Sequence, residues 1–197
     1  MTNSSLTTQQ KILFIHGFGS CGTGTKAETL RKHFGHEHFI SPDLPVEPSH
    51  CLTILHNLIT QHQPIATISS SLGSYYANWF NRHQNLPAIV INPAVEAAKT
   101  LKPHIGHHQH WCTNEPFELT LDHIKQLENI QRPQIQQKEK YLVLLQQGDE
   151  ILDYKQAVRF YKGKEIIIEK KGNHRFENLS QYLTIIDQFI TSIIKPI

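Results

Sequence analysis

Long apolar runs are missing from this sequence. No stretch approaches the ~18 to 20 apolar residues that a membrane-spanning helix requires. Residues 1–11 also lack the apolar core of a secretory signal. We therefore expect no membrane partner and a cytoplasmic location.

A large excess of charge of either sign is missing as well. The formal net charge is +2 with histidine neutral, and charged residues make up 18% of the chain. This balance produces no strong field that would attract nucleic acid, so we expect no nucleic-acid partner. The apolar share of 39% and the length of 197 residues fit one globular domain spanning 1–197.

Cysteine is scarce. Cys21, Cys51 and Cys112 are odd in number and form no CxxC spacing, which predicts a reducing compartment and no disulfide framework. A histidine-rich run at 104–110 lies near Cys112, but its spacing matches no common zinc pattern. We therefore expect no metal site and interpret this run as a solvated polar loop.

Short apolar runs alternate with segments of helical periodicity along the chain. Each run has the character of a strand buried on both faces, which is typical of a parallel sheet covered by helices on both sides. The pattern predicts an α/β fold, a three-layer sandwich with a mostly parallel sheet of about six strands. The predicted strands are 11–15, 38–40, 65–68, 88–91, 142–145 and 165–168. The predicted helices are 27–34, 49–61, 72–80, 120–130, 153–161 and 179–194.

Residues 95–118 fit this alternation least well. They are polar and contain Pro103, Gly106 and Pro116, which interrupt regular structure. We interpret the segment as a loop insertion or a small lid over a site.

The stretch 65–80, IATISSSLGSYYANWF, passes from an apolar strand to a helical pattern through small residues. This is the pattern of a nucleophile elbow, a sharp strand-to-helix turn that presents one side chain above the sheet. Ser71 would occupy the tip, with Ser69 and Gly73 at the positions where the strand and the helix nearly touch. The serines would also suit a helix N-cap, so Ser69, Ser70 or Ser71 could instead begin a helix.

Ser71, Asp149 and His174 occur in the chain order serine, acid, histidine, each after a different predicted strand. The carboxyl ends of parallel strands meet at the edge of the sheet where open α/β sheets bind their ligands. A serine hydroxyl becomes nucleophilic when an imidazole takes its proton and a carboxylate holds that imidazole. This chain order is the one found in α/β-hydrolases. Asp149 and His174 alone would also fit ordinary turns, and Asp153 is an alternative acid that a helix N-cap explains adequately.

Two backbone N–H groups are candidate donors to an oxyanion. That of Leu72 directly follows Ser71 at a predicted helix N-terminus. That of Phe18 lies in the loop after the first predicted strand. Together they would stabilise the negative charge of a tetrahedral intermediate.

Four further residues are candidates for contact with a substrate. His16 and Gly17 belong to the loop after the first predicted strand, and His16 would alternatively brace that loop. Asn92 and Pro93 directly follow the fourth predicted strand. All four are therefore expected at the same sheet edge as Ser71.

A rival motif occurs at 17–22, where the chain reads GFGSCG between a predicted strand and a helix. This GxGxxG pattern, with Asp43 about 20 residues on, would fit a dinucleotide-binding loop and its ribose-binding acid. However, Asp43 stands in a proline-flanked turn, and the motif gives no role to the serine, acid and histidine described above. A phosphate-binding P-loop is excluded because Thr25-Lys26 stands where lysine followed by serine or threonine is needed.

With these motifs in place, the chain resembles the YqiA/YcfP-type family of small bacterial α/β-hydrolases. The resemblance runs through nearly the whole chain in order, and the motifs are specific as a set although each is short. The matching stretches are IHGF at 15–18, SPDLP at 41–45, SSLG at 70–73 with YYA at 75–77, NPAV at 92–95, LLQQGDEILDYKQAV at 144–158 and GNH at 172–174 with Phe176.

The resemblance implies a minimal α/β-hydrolase with a six-stranded parallel sheet and little or no cap. It also implies esterase activity on carboxylic esters or thioesters. The family's nucleophile, acid and base map to Ser71, Asp149 and His174, and its oxyanion loop maps to Phe18.

Two residues depart from the family's pattern. Ser69 stands in place of the first elbow glycine, and Ser74 stands where a glycine often follows the second. Both are small, so the turn remains feasible, although the rate of turnover could differ. Residues 95–118 match least, which leaves the shape of the substrate open.

Taken together, the residues predict a serine esterase that hydrolyses carboxylic esters through an acyl-enzyme on Ser71. Its partner would be a small-molecule ester or thioester, and no metal or organic cofactor is required. An acyl-CoA thioesterase is the alternative within the same class, and a non-catalytic partner-binding protein that keeps the hydrolase fold is the alternative in another. The sequence does not indicate an oligomeric state.

Overall fold

The main sheet consists of six parallel strands. The computed structural model describes residue 6 and residues 9–194, so the prediction for residues 1–11 falls mostly outside the described residues. The strands of this sheet are β1 (Ile12–Ile15), β2 (Phe39–Ile40), β3 (Ala66–Ser71), β4 (Ala88–Pro93), β7 (Tyr141–Gln146) and β8 (Glu165–Glu169). A separate antiparallel hairpin contains β5 (Gly106–Gln109) and β6 (Pro116–Leu119).

Seven α-helices accompany these strands in the described part of the chain. They are α1 (Thr25–Phe34), α2 (Pro48–His62), α3 (Gly73–Gln84), α4 (Ala97–Leu101), α5 (Leu121–Ile130), α6 (Tyr154–Phe160) and α7 (Leu183–Ile194). Short 3-10 turns cover Lys102–His104 and Leu179–Tyr182. The strand order across the main sheet is β2-β1-β3-β4-β7-β8, and each neighbouring pair is parallel.

Helices cover the sheet on both faces, as the continuous apolar runs predict. In β1, Leu13 and Ile15 contribute to a core shared with α2, α3, α5 and α6. The alternate residues Ile12 and Phe14 contribute to a second core, shared with α1 and α7. Since successive side chains of a strand point to opposite faces, a strand between two cores must be apolar throughout. The predicted α/β sandwich with six strands is therefore confirmed.

The segment 95–118 has regular structure that the sequence did not reveal. It contains α4, a 3-10 turn and the β5–β6 hairpin. Partly buried and exposed side chains alternate along β5, and the strand reads Gly-His-His-Gln. Its period-2 pattern is therefore carried by polar residues and gives no hydrophobic signal.

Cys21 and Cys112 form a disulfide, so the prediction of no disulfide was wrong. Their Cα atoms lie 6.2 Å apart although 91 positions separate them in the chain. Counting cysteines and searching for short spacings cannot detect a pair that only tertiary folding brings together. Cys51 is free and buried, and burial raises the pKa of its thiol to about 11. The cysteine content therefore no longer supports a reducing compartment.

Loss of this cross-link is expected to destabilise the protein. Replacing Cys112 with serine should lower the free energy of unfolding by about 2–4 kcal/mol, because the disulfide closes a long loop and restricts the unfolded chain. Urea titration of the wild type, with and without dithiothreitol, measures the difference. Dithiothreitol should leave the Cys112→Ser variant unaffected. The expectation would be contradicted if the urea midpoint of the wild type were the same with and without dithiothreitol.

No described helix combines the length and the apolar character needed to cross a bilayer. Within the same part of the chain, no group of three or more His, Cys, Asp or Glu side chains is placed to hold a metal ion.

Candidate active site

Ser71 lies at the end of β3, where the strand turns directly into α3. Its φ angle is +53°, a left-handed conformation that is unusual for a residue with a side chain. Such a conformation costs of order 1–3 kcal/mol and persists only where the surrounding structure enforces it. Helix α3 has Leu72 at its N-cap position and no side-chain capping hydrogen bond. The alternative interpretation of the serines as a helix cap is therefore wrong.

The elbow depends on close contact between α3 and β1. A Cβ atom added to Gly73 would lie 2.1 Å from the carbonyl oxygen of Ile15, so no larger residue fits without movement of the backbone. Ser69 and Ser74 are both fully buried. The Ser69 hydroxyl lies 3.2 Å from Ser74 Oγ and 3.4 Å from the carbonyl oxygen of Ile89. Serine at these two positions is therefore accommodated by mutual hydrogen bonding.

Ser71, His174 and Asp149 form a continuous chain of hydrogen bonds. His174 Nε2 lies 3.0 Å from Ser71 Oγ, and His174 Nδ1 lies 2.8 Å from Asp149 Oδ2. A carboxylate only accepts, so Nδ1 carries the proton and Nε2 is free to accept from the serine hydroxyl. Ser71 is the last residue of β3, His174 follows β8 and Asp149 follows β7, and the carboxyl ends of these parallel strands lie at one edge of the sheet.

The Asp149 carboxylate is buried, and both of its oxygens accept hydrogen bonds. Its side chain is 2% exposed. Oδ1 accepts hydrogen bonds from the backbone N–H groups of Ile151 and Leu152, at 2.9 and 2.8 Å. Asp153 instead caps α6, where its carboxylate accepts from the N–H of Lys155. The contacts thus distinguish the two candidate acids, because Asp149 bonds to His174 whereas Asp153 caps α6.

The loop after β1 passes against the serine. A Cβ atom added to Gly17 would lie 3.1 Å from Ser71 Cβ and 3.6 Å from Ser71 Oγ. Phe18 follows in this loop, and Leu72 stands between Ser71 and the first residue of α3. The two predicted oxyanion residues are therefore on segments that flank the serine hydroxyl.

His16 links two loops at this edge. Its ring is 6% exposed, Nδ1 donates to the carbonyl oxygen of Gly17 at 2.9 Å, and Nε2 accepts from the N–H of Leu44 at 3.0 Å. Burial lowers the pKa of His16, which favours the neutral ring that this pair of bonds requires. These contacts correspond to bracing of the loop, while contact with a substrate stays a prediction.

Asn92 is buried at the end of β4, at the edge of the sheet that carries Ser71. Its Nδ2 donates to the carbonyl oxygens of Asn173 and His174, at 3.0 and 3.4 Å, and its Oδ1 accepts from the N–H of Gln146. Pro93 is also buried, beside Ser71 in the strand register. These contacts of Asn92 therefore hold the loop after β8 that carries His174 (residues 170–178, the histidine loop). Substrate contact by Asn92 or Pro93 stays a prediction.

Gln146 was not predicted from the sequence. Its Oε1 accepts from the N–H of Asn173 at 2.8 Å, and its Nε2 donates to Glu169 and to Asn178. The side chain is fully buried and connects β7 to the loop that carries His174. A glutamine at a strand end has no distinctive pattern, so no signal in the sequence could have identified it.

Lys26 is a second residue that sequence reasoning missed. Its Nζ donates to the carbonyl oxygen of Arg175, the residue after His174, at 2.7 Å. Burial lowers the pKa of Lys26 to about 8, the charge of Arg175 adds to this, and Asp149 opposes it. The ammonium therefore attaches α1 to the histidine loop.

The glycine-rich loop has a structural explanation that needs no dinucleotide. Asp43, placed where a ribose-binding acid would stand, accepts a hydrogen bond from the N–H of Gly22 at 2.7 Å. A Cβ atom added to Gly22 would lie 2.2 Å from the carbonyl oxygen of Ser41. This glycine and this acid thus fasten the loop after β1 to the loop after β2.

Comparison with known families identifies the relatives of this chain. Residues 11–191 match the model of a family described as "Uncharacterised protein family (UPF0227)". The chain belongs to this family. The match confirms the resemblance to the YqiA/YcfP-type proteins, and it includes the serine, the acid and the histidine of the hydrogen-bonded chain.

Solved structures show the fold of this UPF0227 member. Alpha/beta hydrolase domain-containing protein 10 from mouse superposes with a TM-score of 0.70 at 18% identity, covering 93% of this chain and 90% of the mouse chain. Est1E from Butyrivibrio proteoclasticus gives 0.71 at 12% identity, with coverage of 94% and 88%. A monoacylglycerol lipase from Paleococcus ferrophilus gives 0.64 at 14% identity, with coverage of 92% and 94%. The fold is therefore that of an α/β-hydrolase.

Proposed function

We propose that this UPF0227 protein is a serine esterase that hydrolyses carboxylic esters of small molecules. The observation that carries the proposal is the uninterrupted hydrogen-bonded chain from Ser71 through His174 to Asp149, with the serine held at a positive φ angle. A hydroxyl, an imidazole and a buried carboxylate in this geometry form the arrangement that activates serine for attack on an acyl carbon.

The proposed reaction begins with transfer of the Ser71 proton to His174 Nε2. The serine oxygen forms a bond to the carbonyl carbon, and the carbonyl electron pair moves onto oxygen. The electron pair on oxygen then re-forms the carbonyl and breaks the bond to the alkoxide, which takes the proton from His174 and leaves as an alcohol. Water repeats the sequence on the acyl-enzyme and releases the carboxylic acid. Asp149 holds the imidazole tautomer and stabilises its positive charge throughout.

In the proposed mechanism, two backbone N–H groups stabilise the negatively charged oxygen. Those of Leu72 and Phe18 lie on the two segments that flank the serine. Leu72 stands at the start of α3, where the helix dipole adds to the stabilisation. Loss of a donor of this kind typically costs about 10²–10³ in kcat.

The names of two structural relatives agree with the proposal. One is a monoacylglycerol lipase and another is Est1E, and both share the fold. Their low identity to this chain means that the site geometry, rather than the likeness, supports the reaction.

Labelling with a fluorophosphonate tests the proposal directly. Such a probe modifies a serine only when an adjacent base activates it. We expect one adduct per chain, on Ser71, in the folded protein, and no adduct after denaturation in urea. Peptide mass spectrometry identifies the site. Absence of labelling in the folded protein would favour the non-catalytic partner-binding alternative, and an adduct on Ser70 would show that the nucleophile was assigned wrongly.

A further inference from the structure

A small cavity lies between the loop after β1, the start of α3 and Phe117 of the β5–β6 hairpin. Among its lining residues are Phe18, Leu44, Val46, Leu72, Tyr76 and Phe117. It thus adjoins both residues whose N–H groups would hold the oxyanion. Gly17 and Leu72, which also line it, adjoin Ser71, whereas Ser71, His174 and Asp149 are not among the described residues of the lining.

This position determines which part of an ester would enter the cavity. The leaving alcohol must receive its proton from His174 Nε2, so the alcohol side of the ester faces the imidazole. The acyl substituent extends from the same carbonyl carbon on the other side. A cavity next to Phe18 and Leu72, and away from His174, therefore lies on the acyl side.

The cavity is small. Its volume is about 20 Å³, and a cavity of roughly 10–15 Å³ accommodates one water molecule. It therefore has room for one group of the size of a methyl. Tyr76 and Cys51, which line it, are buried, and the Cys51 thiol donates to the carbonyl oxygen of Pro45. Lengthening the cavity in that direction would require movement of packed core residues.

Three independent contacts fix the hairpin to the loop after β1 at this cavity. The disulfide joins Cys112 of the hairpin to Cys21 of the loop after β1. The Trp111 N–H donates to the carbonyl oxygen of Gly19 at 2.8 Å. The Phe117 ring packs edge-on against Phe18, with 5.3 Å between centroids. Phe117, which lines the cavity, thus belongs to a hairpin that is attached to the same loop as the proposed oxyanion donor Phe18.

We infer that this cavity is the acyl pocket and that the cross-linked hairpin restricts the enzyme to acetyl-sized acyl groups. The inference rests on the proposed esterase function. Phe117 is then the residue that sets the acyl length, because its ring lines the pocket and packs against Phe18. The disulfide keeps that ring in place.

The test compares p-nitrophenyl acetate with p-nitrophenyl hexanoate, which share a leaving group. The wild type should favour acetate by at least about tenfold in kcat/KM, since each methylene that a pocket cannot hold is worth about 10–200-fold. Phe117→Ala should reduce that preference by about tenfold or more. Phe117→Leu and Cys112→Ser should shift it in the same direction by less. Leu121→Ala, which truncates an exposed apolar side chain on α5, serves as the matched control and should leave the ratio unchanged.

The possible results separate the two levels of the proposal. An acetate preference that weakens in the Phe117 and Cys112 variants, but not in Leu121→Ala, supports the acyl pocket. Equal wild-type turnover of both esters, or the same ratio in all variants, overturns it while leaving the esterase proposal intact. A wild type that hydrolyses no ester, and resists the fluorophosphonate, shows that the proposed function itself has failed.

Discussion

Replacing Ser71 with alanine is expected to lower kcat for p-nitrophenyl acetate by about 10³–10⁶-fold, the range typical for loss of a triad nucleophile. Without the hydroxyl, His174 has no proton to take and no acyl-enzyme can form. The variant should keep its fold, because the Ser71 backbone hydrogen bond to Ala94 does not involve the side chain. Steady-state kinetics measure the loss, and circular dichroism verifies the structure.

The neighbouring serine supplies a matched control for this experiment. Ser70 precedes Ser71 in β3, and its side chain is buried. Ser70→Ala removes a hydroxyl one position before Ser71, and this variant should retain kcat within a few-fold of the wild type. If Ser70→Ala abolished turnover while Ser71→Ala remained active, the nucleophile would have to be reassigned.

Replacing Asp149 with asparagine is expected to reduce kcat by about 10⁴-fold, the loss seen when a triad aspartate becomes an amide. The amide can donate to His174 Nδ1, which stabilises the tautomer that cannot accept the serine proton. The amide oxygen can still accept from the N–H groups of Ile151 and Leu152, so the loop should keep its conformation. Rate measurements from pH 6 to pH 9, together with urea titration, separate a catalytic loss from unfolding.

Asp153→Asn is the control for the acid, because Asp153 is the nearby carboxylate that the sequence offered as an alternative. Asparagine is as good an N-cap as aspartate, so α6 should remain intact and turnover should change little. Loss of activity in Asp153→Asn with normal activity in Asp149→Asn would contradict the proposed triad.

Most of the main sheet was predictable because its strands carry a simple physical signal. A strand between two cores must bury every side chain, and β4 and β7 are buried at every position. Such strands read as unbroken apolar runs, which local sequence inspection detects. The position of Ser71 was predictable because the turn after β3 restricts its own sequence. Gly73 lies so close to the carbonyl oxygen of Ile15 that no larger residue fits there, and this glycine marks the serine two positions before it.

Features that depend on distant contacts were not predictable. Cys21 and Cys112 meet only because the hairpin folds back over the loop after β1. Strand β5 is polar, and β6 has only two inward apolar residues, Phe117 and Leu119, which is too short an alternation to identify a strand. The hydrogen bonds of Asn92 and Gln146 to the histidine loop join segments more than 25 residues apart. Asparagine and glutamine occur in many settings, so neither residue type predicts such a contact.

The hydrogen bonds that attach the histidine loop determine whether local opening of β8 would displace the imidazole of His174. His174 follows β8, an edge strand whose residues are only partly covered. Edge elements with little burial are the first to open in native-state fluctuations. Asn92 and Gln146, however, anchor the loop to β4 and β7 in the middle of the sheet. Transient detachment of β8 would therefore leave the imidazole of His174, the proposed general base, tethered near Ser71, so motions at this edge of the sheet would not displace it.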